Sequence, residues 1–188
     1  MYATYITEAL VCGTRDSYTS DRSYLLLTKR AGMLWAAARS VREEKSRQRY
    51  ALQNFSLIRV SLVKGKSGWR IGSVESEYNA FSGAASREAR GAITRIVKLL
   101  RQYLHGEETV SDIFLDVKRA LSVLQSAQPK ECNLIADIFA LRLLNKLGYI
   151  AGKPSFAEHL SESEWEKLNV LPVEAYRSIE NAQKVSHL

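Results

Sequence analysis

The chain has 188 residues, 46% of them hydrophobic and 25% charged, a balance that supports a packed core and argues against disorder. Its formal charge is +7, no apolar run approaches the length of a membrane span, and MYATYITEAL lacks the basic-then-apolar pattern of a secretory signal, so the cytoplasm is the expected location. Two cysteines, Cys12 and Cys132, and three scattered histidines are too few for a disulfide framework or a zinc site, so no metal or other cofactor is expected.

The first 79 residues read as strands. TYITEALVC is the first, and the turn-rich GTRDSYTSDR separates it from SYLLLTK. The run beginning AGMLWAAARS follows closely enough to make a hairpin. A basic loop carrying Arg42, Lys45, Arg47 and Arg49 leads into Ile58, Val60 and Leu62, which alternate with Arg59 and Ser61 as in a half-buried strand. The turn KGKSG then returns the chain through WRIGSVE. Five short strands in this span suit a small Greek-key barrel of the OB type, with an SH3-like barrel as the other option.

From Ser86 the period becomes helical. Ile93, Ile96, Val97, Leu100, Tyr103 and Leu104 share one face, with Arg87, Arg90, Lys98 and Arg101 opposite. Gly106 ends this helix, and IFLDVKRALSVLQSA forms the next. After Pro129, CNLIADIFALRLLNKL is apolar nearly all round, which predicts a central buried helix stopped at Gly148. Ser161 and Glu164 have capping-box spacing, and Pro172 marks a last helix start. The whole is an α+β chain: an all-β OB-fold-like domain over 1–79 and an all-α helical domain over 80–188, with the boundary in YNAFSGAAS.

No phosphate-cradling glycine loop, catalytic triad or converging carboxylate set is legible, so no enzyme is expected. Charge is the stronger signal: residues 29–70 hold 11 Lys+Arg against 2 Asp+Glu. Cations along a groove neutralise phosphates, and aromatic faces accept stacked bases. The candidates are Lys29, Arg39, Arg42, Lys45, Arg47 and Arg49, with Trp35 on the β-strand face that also carries Ala37 and Arg39, and Tyr50 and Phe55 near the loop. The other readings are an adaptor whose helical half meets an acidic partner tail, and an RNA-binding OB module.

SDRSYLLLTKRAGMLWAAARSVR followed by KSRQRYALQNFSLIRVSL resembles the RecO family of bacterial recombination mediators, and FALRLLNKLGYIA resembles that family's later helix end. The matching positions include Ser20, Asp21, Arg22, Thr28, Lys29, Gly32, Leu34, Arg39, Ser46, Arg47, Ala51, Leu52, Gln53, Phe55 and Ser56. The resemblance implies an OB-fold followed by helices, and no enzymatic site. It also implies binding and annealing of single- and double-stranded DNA, contact with single-stranded-DNA-binding protein, and recombinase loading with RecR. By resemblance Arg39 and Arg47 fall on family cations and Lys29 on a Lys/Arg position, while Arg42 fits the basic pattern that follows. Lys45 and Arg49 rest on charge alone. Arg142 and Lys146, or the Arg87–Arg101 stripe, are offered as cations for the partner tail. Ala151 stands where the family commonly has proline, and Gly152 onward lacks the cysteines of the zinc module many relatives carry, so no zinc is expected. Set beside the family the sequence is several tens of residues shorter than typical members, so the resemblance implies that the family's extra C-terminal helices are trimmed.

Overall fold

The computed structural model describes residues 4–16, 20–43, 45–161 and 164–185. Five strands, β1 (Thr4–Asp16), β2 (Arg22–Thr28), β3 (Gly32–Ala38), β4 (Ser56–Gly65) and β5 (Gly68–Asn79), close a barrel in the order β1-β2-β3-β5-β4. Consecutive strands pair antiparallel except at the closure, where β3 and β5 run parallel. This non-sequential order is the Greek-key arrangement of an OB-type barrel, and the SH3-like option falls away.

Alternation builds the interior. Leu34, Ala36 and Ala38 of β3 join Ile58, Val60 and Leu62 of β4 in one core with Ala9, Val11, Tyr24 and Leu26. Trp69 also enters this core. The expected hairpins are present: β2 turns into β3 over Lys29–Ala31, and Gly65 pairs with Gly68 across a two-residue turn. One boundary differs from the sequence reading. Strand β1 does not stop at Cys12 but continues to Asp16, paired with Arg22, by absorbing an irregularity between Val11 and Gly13. The turn-like residues Gly13–Asp16 are held in the ladder by β2, which local composition does not reveal.

Helices α1 (Gln48–Ala51) and α2 (Ala80–Gly83) are single turns. The longer helices are α3 (Arg87–Tyr103), α4 (Ser111–Ser126), α5 (Cys132–Lys146) and α7 (Val173–Val185), with a short α6 (Glu164–Lys167). In α3 the predicted apolar face is buried from Ile93 to Leu100, and Arg87, Arg90, Lys98 and Arg101 are exposed. In α5 ten residues are buried, Ile135 to Leu144 almost without break, and Gly148 follows with φ +79°. Pro129 opens a 3₁₀ turn leading directly into α5, so it starts that helix as much as it ends α4. Pro172 immediately precedes α7, its carbonyl accepting the Ala175 N–H at 2.9 Å. The capping box expected of Ser161 and Glu164 runs through residues 162 and 163, which lie outside the described residues.

The chain divides into two compact units, Met1–Gly83 with Leu100–Leu115, and Ala84–Leu99 with Asp116–Leu188. In the first, the 105–110 connection lies against the start of β3. Met33 donates its N–H to the Gly106 carbonyl at 2.9 Å, Thr109 Oγ1 donates to the Arg30 carbonyl, and Glu107 accepts from Trp69 Nε1 at 2.8 Å and Lys64 Nζ at 2.6 Å. These two hydrogen bonds, that of Lys64 first and then that of Trp69, hold the Glu107 carboxyl below its usual range.

In the second unit, Arg142 of α5 is 2% exposed. Its Nη2 donates to Asp116 Oδ1 at 2.7 Å and its Nε to Oδ2 at 3.2 Å, while Nη1 reaches the carbonyls of His159 and Ser161. Lys146 Nζ also meets Asp116, at 2.7 Å, and Trp165 Nε1 donates to it at 3.3 Å. Arg142 is therefore not a surface cation for a partner tail. An otherwise apolar helix can bury a guanidinium only by satisfying its donors, and the carboxylate and two carbonyls do so. No helix among the described residues is long and apolar enough to cross a membrane.

Candidate nucleic-acid interface

The basic segment between β3 and β4 is anchored at both ends. Val41 and Leu52 are 1% and 2% exposed and belong to the barrel core, so the cations between them are displayed from a short, tethered arch. It is not wholly loop: residues 48–51 form α1, which carries Arg49. The stretch RQRYAL contains good helix formers, and Leu52 supplies the apolar anchor that makes one turn worthwhile.

The SDR motif shapes this arch. Ser40 sits at φ +50°, and its N–H donates to Asp21 Oδ1 at 2.8 Å. Arg42 donates its N–H to the Ser20 carbonyl at 3.1 Å. Arg22 Nε meets Asp16 Oδ1 at 2.9 Å, and Arg42 Nη1 approaches the same carboxylate at 3.9 Å. Ser20 and Asp21 thus fasten the chain after β3, and Arg22 adds a cation beside it. Asp21→Ala is expected to lower stability by about 1 kcal/mol and to speed hydrogen exchange at the Ser40 amide, since the strained turn loses its acceptor.

The result is a cleft of about 400 Å³ lined by Arg22, Arg42 and Arg49, with Thr14, Gln53 and Asn54 supplying further polar groups. Arg49 extends over Tyr50, its Cζ 4.8 Å from the ring centroid and its Nη2 donating to the Tyr50 hydroxyl at 2.7 Å. Tyr50 is 63% exposed, leaving ring surface open to a ligand. The buried Tyr24 phenol also lines the cleft, and burial pushes its pKa up against the neighbouring Arg22 charge. Three guanidiniums line the cleft, and only Arg22 and Arg42 are shown paired with a carboxylate, that of Asp16, which leaves a positive surplus suited to phosphate.

The candidates named from sequence do not all meet here. Arg42 and Arg49 do; Lys45 and Arg47 are exposed on the same arch, without a side-chain partner among the described residues. Arg39 lines a separate groove. Lys29 bonds Glu8 Oε2 at 3.2 Å and lines a third depression with Arg30 and Arg59. Trp35 is half-buried, and the cation over its ring is Arg15, 4.2 Å away, rather than Arg39. The continuation of β1 carries Arg15 to that position. Phe55 stacks on Phe81 at 5.1 Å. Sequence reasoning passed over Arg22 as a site residue, although the SDR motif contained it. Its signal was adjacency to Asp21, but only the β1–β2 pairing shows that it faces the arch.

Comparison with known proteins adds a second line. Residues 1–77 match the family model described as "Recombination protein O N terminal", and residues 85–164 match "Recombination protein O C terminal". The protein named DNA repair protein RecO of Desulfitobacterium hafniense (strain DSM 10664 / DCB-2) is 30% identical over 145 residues, covering 77% of this chain and 52% of that protein. Its namesake in Heliobacterium modesticaldum is 30% identical over 148 residues, 77% and 52% of the two chains. That of Clostridium novyi is 26% identical over 143 residues, 76% and 56%. The chain thus spans about half the length of the curated relatives it matches. With a barrel half and a helical half matched in chain order by the two models of one family, the chain belongs to the RecO family.

Proposed function

We propose that the protein is a non-catalytic DNA-binding mediator of recombinational repair, holding the phosphate backbone on Arg22, Arg42 and Arg49. The convergence of these three guanidiniums on one polar cleft, two of them sharing the Asp16 carboxylate, is the observation that carries the reading. Lys45 and Arg47 extend the same positive field along the arch. By neutralising two backbones, such a surface lets complementary strands approach without mutual repulsion, so that annealing is driven by base pairing itself. Loading of a recombinase, together with RecR and single-stranded-DNA-binding protein as partners, completes the proposal; it rests on the family. The adaptor reading has less support, because Arg142, one of the cations offered for an acidic tail, is buried.

The test is a titration of labelled single-stranded and duplex DNA at several salt concentrations, repeated with Arg42→Glu/Arg49→Glu. Wild-type affinity should fall steeply with salt, and the variant should lose roughly 0.7 of log–log slope per phosphate contact on the single strand. Arg47→Glu, outside the cleft, should cost about one such contact or less. Equal binding by wild type and the double variant would rule out the cleft.

A further inference from the structure

Two of the three arginines that line the cleft already share an anion. Asp16 lies beyond the irregularity in β1, where the ladder pairs it with Arg22. Its two oxygens are divided between two cations: Oδ1 accepts from Arg22 Nε at 2.9 Å, and Oδ2 lies 3.9 Å from Arg42 Nη1. A carboxylate and a phosphodiester offer a guanidinium the same feature, a pair of oxygens sharing one negative charge. Asp16 therefore presents to Arg22 and Arg42 what a backbone phosphate would present.

Two observations separate this arrangement from a structural tie. The Asp16 side chain is 59% exposed and both arginines are open to solvent as well, so the pairs can part without opening the barrel. Exposed pairs of this kind add little to stability, and the strand ends are held by their backbone ladder. Arg22 also neighbours the Tyr24 phenol of the cleft wall, which keeps it at the site when the carboxylate lets go. Arg49, by contrast, has no carboxylate partner among the described residues and leans on Tyr50.

We propose that Asp16 is an internal competitor for phosphate, pairing with Arg22 and Arg42 until an incoming strand displaces it. The proposal rests on the phosphate-binding reading of the cleft and deepens it by naming what limits the grip. A protein that brings strands together must also release the paired product. A carboxylate tethered by the β1–β2 ladder at the same two cations supplies the return displacement. Without that charge the cleft binds more tightly and lets go more slowly.

The experiment measures affinity, salt dependence and dissociation rate of labelled oligothymidylate on the full chain, on Asp16→Asn and on Glu43→Gln. Glu43 is an exposed carboxylate of the same arch, so its loss controls for net charge. Asp16→Asn should bind about three- to fivefold more tightly, with slower release and an unchanged melting temperature. Its log–log salt slope should steepen by up to about 0.7. Glu43→Gln should gain about 1.5-fold or less. In an Arg22→Gln/Arg42→Gln background, measured at low salt, the Asp16→Asn gain should vanish. Unchanged or weaker binding by Asp16→Asn, an equal gain in Glu43→Gln, or a gain that survives the loss of both arginines overturns the competitor and leaves the cleft standing. A lowered melting temperature with weaker binding makes Asp16 a structural tie and overturns it too. A wild type that binds no DNA overturns the competitor and the cleft together.

Discussion

Arg142→Met is expected to destabilise the protein by about 3 kcal/mol, because it leaves the Asp116 carboxylate buried with its principal partner gone. Asp116 is 4% exposed. Lys146 and Trp165 still reach it, which keeps the cost at the lower end for a broken buried pair. The carbonyls of His159 and Ser161 lose their donor at the same time, so the segment around Phe156 should loosen first. In a thermal melt the loss corresponds to a fall of roughly 6–12 °C. Removing both charges, Asp116→Leu/Arg142→Met, should recover much of it, since no buried charge is then left unpaired. A double variant as unstable as the single one would show that the helical unit depends on the guanidinium itself.

The same network sets an acid limit. Burial pushes the Asp116 carboxyl up, but the hydrogen bonds and charges of Arg142 and Lys146 outweigh it and hold it below the ordinary carboxylate range. A carboxyl whose folded pKa is depressed contributes stability at pH values above its unfolded pKa, and that contribution is lost as pH falls through the folded value. Denaturant melts should therefore show stability falling below about pH 4, and this acid dependence should flatten in Asp116→Leu/Arg142→Met.

Gly32→Ala carries the second large effect. Gly32 has φ +63°, and a Cβ there would lie 2.4 Å from the Glu108 carbonyl oxygen and 2.6 Å from that of Gly106. These are backbone atoms and cannot swing aside, so the 105–110 connection must lift from β3. The Met33 bond to the Gly106 carbonyl would be strained with it. The expected cost is about 2–4 kcal/mol, from the left-handed backbone and the overpacking combined. Gly91→Ala is the contrast: it lies in α3 with nothing within 4 Å of its added methyl, and should stabilise by about 0.5–1 kcal/mol. Chemical denaturation of the two variants should give opposite signs, and equal small shifts would mean that the connection is free to move.

Periodicity reads well where one element has one buried face. Ile58, Val60 and Leu62 alternate into the barrel as written, the α3 stripe is buried as spaced, and the apolar run of α5 is a helix buried all round. Local chemistry also marked Gly32, Gly148 and the hairpin at Gly65–Gly68. Burial on both faces of a strand escapes it. Leu10 pairs with Leu27 and with Leu57, all three are buried, and none belongs to the barrel core, so a second layer covers what alternation would leave to water.

The candidate interface divides in the same way. That residues 29–70 form a basic surface is composition, and it needs no coordinates. Which cations act together is not, because charges far apart in sequence meet only through strand pairing. The β1–β2 ladder brings Arg22 and Asp16 to the arch, the parallel seam pairs Arg70 with Ala37 so that Arg70 and Arg39 line one groove, and Lys29 is carried off to Glu8. Arg142 makes the point from the other side. Its letter reads as a surface charge, and only the closure of α5 on Asp116 turns it into a buried tie. By itself the sequence determined the strand-then-helix order, the core periodicities and the sign of the surface. The tertiary structure alone decided which charges face a ligand and which are spent on one another, because that depends on long-range pairing that local periodicity does not encode.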